Sequence, residues 1–157
     1  MTRICSVIGV DPGQACGIAF VDYMGDQIAG RTMLQVDHAS ALIVLEAMLL
    51  AHYSDPERVP ERWAGVEAFI TGNSAGTKGK PAELTRQLVM RFGELLQMYG
   101  YRVKVRPAAS VKPWATNRVL EAAGILQEAT GMRHANDGGR QALFTARWDA
   151  GKPSPLR

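Results

Sequence analysis

The stretch Val7-Ile-Gly-Val-Asp11-Pro-Gly-Gln-Ala-Cys-Gly17-Ile-Ala-Phe20 decides how this chain is read. Arg3 to Val10 alternates and becomes β-branched in its second half, which predicts a central strand. Asp11-Pro12-Gly13 predicts a turn, because proline fixes φ and glycine accepts backbone conformations that other residues avoid. Cys16 to Val21 reads as a second strand, Met24-Gly25-Asp26 as a turn, and Gln27 to Val36 as a third strand. Three strands joined by tight turns predict an antiparallel meander. An acid at the end of the first strand, just before Pro-Gly, is poorly explained as decoration. Asp11 is the first candidate functional residue.

Downstream the period changes. His38 to His52 is helical and apolar nearly all round, so a helix buried against the sheet is expected. Ser54 to Glu61 is a proline-punctuated loop, and Trp63 to Glu67 is a short fourth strand. Ile70 to Lys80 is a glycine-rich basic loop. Pro81 opens a long helix to about Tyr99, with Leu84, Leu88, Phe92, Leu95 and Tyr99 along one face. Tyr101 to Val105 is a fifth strand, and Pro107 to Pro113 a turn or short helix. Thr116 to Ala123 and Arg133 to Asp149 are helices. Residues 151–157 are expected to be a frayed, flexible tail after a single domain over 1–150. The order predicts an α/β arrangement on a mixed sheet, its first three strands antiparallel.

Composition narrows the class. The chain has 157 residues, 46% hydrophobic and 21% charged, which fits one ordinary globular domain. The longest apolar run, Ala39 to Ala51, is broken by Glu46 and falls short of the roughly 18 residues a membrane helix needs. The amino terminus lacks the pattern of a signal peptide, so no membrane partner and a cytoplasmic location are expected. Cys5 and Cys16 are too few for a disulfide framework and read as small buried hydrophobes on neighbouring strands. The charge is uneven. Residues 1–66 carry 4 Lys/Arg against 8 Asp/Glu, whereas residues 67–157 carry 14 against 7. A basic carboxy-terminal half suits a polyanion.

Glu67 ends the fourth strand as Asp11 ends the first. If those strands are neighbours, the two acids lie side by side where α/β sheets place their ligands. Close carboxylates repel unless a proton or cation lies between them, and a hard divalent cation is the usual partner. His134 and Asp137 stand three apart on the last helix and share one face, with Arg140 and Gln141 close to it.

These residues resemble the RuvC-type Holliday junction resolvases. The resemblance rests on the apolar strand, Asp11-Pro-Gly and Gly17, then Val66-Glu67, then Pro107 through Val111-Lys112, then His134-Ala-Asn-Asp137 at the head of a helix. It covers almost the whole chain in order and looks closest to phage-encoded versions, for which the location would be the host cytoplasm. Two departures stand out. Asp137 is followed by Gly138-Gly139, where many relatives carry an Ala-Leu-Ala-type run. Phe69 stands near the aromatic that follows the family's second acid, but one residue out of register.

The resemblance implies an RNase H-like fold, with a five-stranded mixed sheet and helices on both faces. It also implies an endonuclease that cuts four-way DNA junctions as a homodimer with Mg²⁺ or Mn²⁺. Two ions roughly 4 Å apart would serve each site. Asp11 would bridge them, Glu67 and Asp137 would complete the shell, and His134 would ligate or orient water. An imidazole ligand would favour Mn²⁺, since Mg²⁺ prefers oxygen. Lys78, Lys80, Lys112, Arg118 and Arg140 are candidate phosphate contacts, and Phe69 could stack on an unpaired base. Symmetric cutting of a junction implies a two-fold dimer, and apolar positions of the Pro81–Tyr99 helix outside the core are one interface to consider.

Other readings compete. A broader fork or flap nuclease keeps the fold and changes the substrate, and a binding module without catalysis keeps only the DNA. A phosphate-binding ATPase of the actin and sugar-kinase type also opens on strand, Asp-x-Gly, strand, but needs two such domains.

Overall fold

The structure, a computed structural model, describes residues 3–53, 55–69 and 79–156. Strand β1 (Cys5–Asp11) is buried along its whole length, as a central strand of β-branched residues should be. It pairs antiparallel with β2 (Ala15–Met24), which pairs antiparallel with β3 (Gln27–Asp37). On its other side β1 pairs parallel with β4 (Glu61–Glu67), and β4 pairs parallel with β5 (Arg102–Arg106). The sheet order is β3-β2-β1-β4-β5, so the expected five-stranded mixed sheet with an antiparallel opening is present.

Alternation along β1 and β2 sends side chains into two separate cores. Ile8, Val10, Ile18 and Phe20 meet α1 (His38–His52) and α2 (Lys80–Met98) on one face. Val7, Ala19 and Val21 meet α4 (Asn117–Ala122) and α5 (Arg133–Trp148) on the other. Helices therefore cover both faces. The short helix α3 (Ala108–Val111) falls inside the segment expected as a turn or short helix. Cys5 and Cys16 are buried free thiols, as expected. Among the described residues no helix is long and apolar enough to cross a membrane.

Three expectations need correction. The first concerns α1, which is buried only along Ala41, Leu45 and Leu49; Ile43 and Leu50 are 71% and 57% exposed. One sheet face with α2 alongside can cover only one stripe of a helix. The second concerns α2, which buries Ala82, Leu88, Phe92 and Leu96, while Leu84 faces outward. The third concerns residues 151–156, which are held rather than frayed. The Lys152 N–H donates to Ala146 O at 2.8 Å, its ammonium donates to Gly25 O at 3.1 Å, and half-buried Leu156 packs on the α4–α5 core.

Helix α5 lies unusually close to the sheet, and glycines make the approach possible. An added Cβ at Gly17 would lie 1.6 Å from His134 O, and one at Gly9 would lie 2.0 Å from Gly138 O. From the helix side, a Cβ at Gly138 would lie 2.9 Å from the backbone of Gly17. Gly138 therefore lets two backbones touch. This contact sets where α5 presents its first two turns.

Candidate active site

Parallel pairing of Val10 with Val66 brings the ends of β1 and β4 together, so Asp11 and Glu67 stand on adjacent strands at one end of the sheet. Strand β1 is antiparallel to β2 on one side and parallel to β4 on the other, which makes this end a topological switch point. Helix α5 then brings His134 and Asp137 to the same place. His134 Nδ1 is 2.8 Å from Asp11 Oδ2. When the hydrogen is on Nδ1, the imidazole donates to the carboxylate and fixes its orientation.

Burial makes two of these acids hold their protons more tightly than usual. Glu67 is pushed up from an ordinary 4.5 to about 7, first by burial and then by the neighbouring Asp11. Burial also raises Asp11, against the lowering effect of its hydrogen bond to His134. Asp137 is buried too, and protein cations engage both of its oxygens. Lys112 Nζ lies 3.1 Å from Oδ2, and Arg140 Nη1 lies 3.0 Å from Oδ1. Arg140 also donates from Nη2 to Asn117 Oδ1 at the start of α4.

The donor chemistry of three acids and an imidazole fits a hard divalent cation, and Lys112 already offers Asp137 a positive charge. The arrangement is not a finished metal cage. Among the described residues, no group of three or more His, Cys, Asp or Glu is set to hold an ion. Asp137 faces Lys112 and Arg140, which hold one of its oxygens each.

The candidate phosphate contacts fall into three groups. Lys80 at the start of α2 and Arg118 on α4 are exposed. Lys112 and Arg140 are engaged with Asp137, and the Arg140 side chain is only 15% exposed. Lys78 lies outside the described residues. Phe69 is half-buried beneath the Arg86 guanidinium, 5.1 Å from its ring centre. With Pro12, Glu67, Ala68 and Ala108 it lines a cleft of about 210 Å³ beside the acids.

Two supporting residues were given no role from the sequence. Gln141 is fully buried, with Nε2 3.5 Å from Glu67 Oε2 and its Oε1 lacking a hydrogen-bond partner among the described residues. Its position four after Asp137 is the signal that places it on the same helix face. Arg106 is the register partner of Glu67, donates to Thr145 Oγ1 at 3.3 Å and pairs with Asp149. Nothing in its local pattern separates it from Arg102 and Lys104 on the same strand.

No family model matches this chain, and no curated protein does. Solved structures do match. Thermus thermophilus RuvC in complex with a Holliday junction substrate is 19% identical with a TM-score of 0.58, covering 94% of this chain and 96% of that one. A second Thermus thermophilus RuvC structure is 20% identical with a TM-score of 0.58, covering 98% of this chain and all of that one. What this likeness shows is the fold, which this chain shares with those RuvC structures over nearly its whole length.

Proposed function

We propose that this chain is a divalent-metal-dependent endonuclease that cuts branched DNA, four-way junctions above all, and works as a homodimer. The observation that carries the reading is the meeting of Asp11 and Glu67 at the ends of adjacent parallel strands, with His134 of α5 hydrogen-bonded to Asp11 and Asp137 close enough to act on the charge of both acids. That the similar Thermus protein is seen on a Holliday junction supports the choice of substrate.

Asp11, Glu67 and Asp137 are the residues to hold Mg²⁺ or Mn²⁺, two ions per site. Bound there, the metal supplies an activated water and offsets charge on the leaving oxygen. In the hydrolysis this would serve, the water oxygen would bond to phosphorus, the bond from phosphorus to the leaving deoxyribose oxygen would break, and the proton lost by the water would be matched by one taken up by the leaving oxygen. His134 holds the Asp11 carboxylate in place. Lys112, once released from Asp137, is placed to meet a phosphate oxygen, and Lys80 and Arg118 reach the backbone further out. Phe69 offers a ring beside Glu67 for an unpaired base. Exposed Ile43 and Leu50 on α1, with Met90 and Met98 on α2, support an apolar two-fold interface on the opposite face of the sheet.

One observation favours a second reading, a branched-DNA-binding module without catalysis: Lys112 and Arg140 already neutralise Asp137. A single experiment separates them. A labelled four-way junction, a fork and a linear duplex are incubated with the protein and Mg²⁺ or Mn²⁺. The nuclease reading expects the junction to be cut, and Asp11→Asn and Asp137→Asn to abolish cutting while junction binding persists. Full activity in both variants would sink the site assignment. Binding without cutting supports the second reading, and equal cutting of linear duplex removes junction preference.

A further inference from the structure

Away from the acids, α5 and the loop after α3 bring three aromatic rings together at the surface. Trp114 meets Phe144 and Trp148 edge-on, each with centroids 6.1 Å apart, and Phe144 lies 6.0 Å from Trp148. Arginines cover two of the rings. The Arg106 guanidinium stands 5.3 Å from the centre of Phe144, and that of Arg147 stands 5.3 Å from the centre of Trp148.

The cluster leads directly out of the site. Phe144 is one helical turn beyond Arg140, Trp148 one turn beyond that, and Trp114 follows Lys112 by two residues. A small satellite core accounts for Trp114 and Phe144, which are half-buried. It does not account for Trp148, which is 55% exposed at the outer end of the row. A large ring left in water beneath an arginine has the two chemistries that grip a nucleic-acid strand without reading its sequence. The charges are arranged to suit a polyanion. Arg106 is balanced by Asp149, whereas Lys104 on the edge strand β5 is exposed and Arg147 is half-buried.

We propose that this row is a lane for an unpaired DNA strand, with a base stacked on Trp148 and the backbone held by Arg147 on its way to Lys112. The lane rests on the reading of the site as one that acts on DNA, and it adds that a strand unpaired at the branch point runs along this row.

The test is equilibrium binding of two fluorescein-labelled probes in EDTA, a short oligothymidylate and a four-way junction. Wild-type protein is expected to bind both, and the oligothymidylate should quench tryptophan fluorescence. Trp148→Ala should weaken oligothymidylate binding roughly ten-fold, Trp148→Phe should keep most of it, and Arg147→Ala should flatten its salt dependence. Thermal midpoints of all three variants are measured alongside. If Trp148→Ala is destabilised, the comparison of Trp148→Phe with Arg147→Ala carries the test. The lane is overturned if a folded Trp148→Ala binds oligothymidylate as the wild type does, or if the wild type binds the junction and not the oligothymidylate. Failure of the wild type to bind either probe overturns the DNA reading itself, and the lane with it.

Discussion

The Lys112 ammonium lies 3.1 Å from Asp137 Oδ2, on a carboxylate whose other oxygen is held by Arg140. Two cations around one buried acid satisfy its charge without a metal, so a divalent ion has to compete for it. Removing Lys112 removes the competitor. Lys112→Met is therefore expected to bind Mn²⁺ several-fold more tightly than wild type without DNA, measured by electron paramagnetic resonance of the unbound ion. The same variant should bind a four-way junction more weakly, with a salt slope smaller by about 1. Unchanged or weaker Mn²⁺ binding would show that Lys112 does not gate Asp137.

The glycine contacts beneath α5 give a sharper structural test. A methyl at Gly17 would sit 1.6 Å from His134 O, on backbone that cannot move without shifting the whole helix. Gly17→Ala should cost about 3 kcal/mol and lower the thermal midpoint by roughly 6–12 °C. Gly93 in α2 is the control, since nothing lies within 4 Å of its added Cβ. Gly93→Ala should stabilise by about 1 kcal/mol through helix propensity. Equal effects at the two positions would contradict the close approach.

Both halves of that contrast show what was legible beforehand. Strand order at the centre of the sheet follows from Val7-Ile8-Gly9-Val10-Asp11 and the tight turns after it, because alternation and turn chemistry are local. The meeting of Asp11 with Glu67 follows once β1 and β4 are neighbours. Two glycines within a helix, Gly138 and Gly139, point to close backbone packing, but that Gly138 meets Gly17, more than a hundred residues earlier, could not be read in advance. Arg140 read as a phosphate contact although Asp137, three residues before it on α5, is a local partner; its second partner, Asn117, reaches it only through the docking of α4 beside α5. Helix α1 misled in the other direction. Its composition marks it as apolar all round, but how much of a helix is covered depends on what else shares the sheet face.

The carboxy-terminal segment is a third place where contacts carry a testable weight. Leu156 packs against the α4–α5 core, the Arg147 guanidinium donates to Lys152 O at 3.4 Å, and Lys152 spans to Gly25. Deleting residues 151–157 removes a partly buried leucine and these bonds together. A loss of about 1–2 kcal/mol is expected, read as a lower urea midpoint with little change in slope. A tail that merely frayed would leave the midpoint where it was.

The last prediction concerns pH. Glu67 in the fold holds its proton to about 7, against 4.5 for an ordinary glutamate, because burial and Asp11 disfavour its anion. Between those values the folded protein binds more protons at this position than the unfolded chain does, so stability falls as pH rises. The contribution is fully present below about 4.5 and is lost as the pH passes through about 7. In EDTA, urea midpoints should therefore decline from about pH 5 to about pH 8. Glu67→Gln stays neutral throughout and should flatten that part of the profile. A divalent ion needs the anion, so its binding expels the proton, and Mn²⁺ affinity should climb over the same interval in which metal-free stability declines. A wild-type profile as flat as that of Glu67→Gln would mean that the Glu67 carboxylate is already paid for by a cation within the fold.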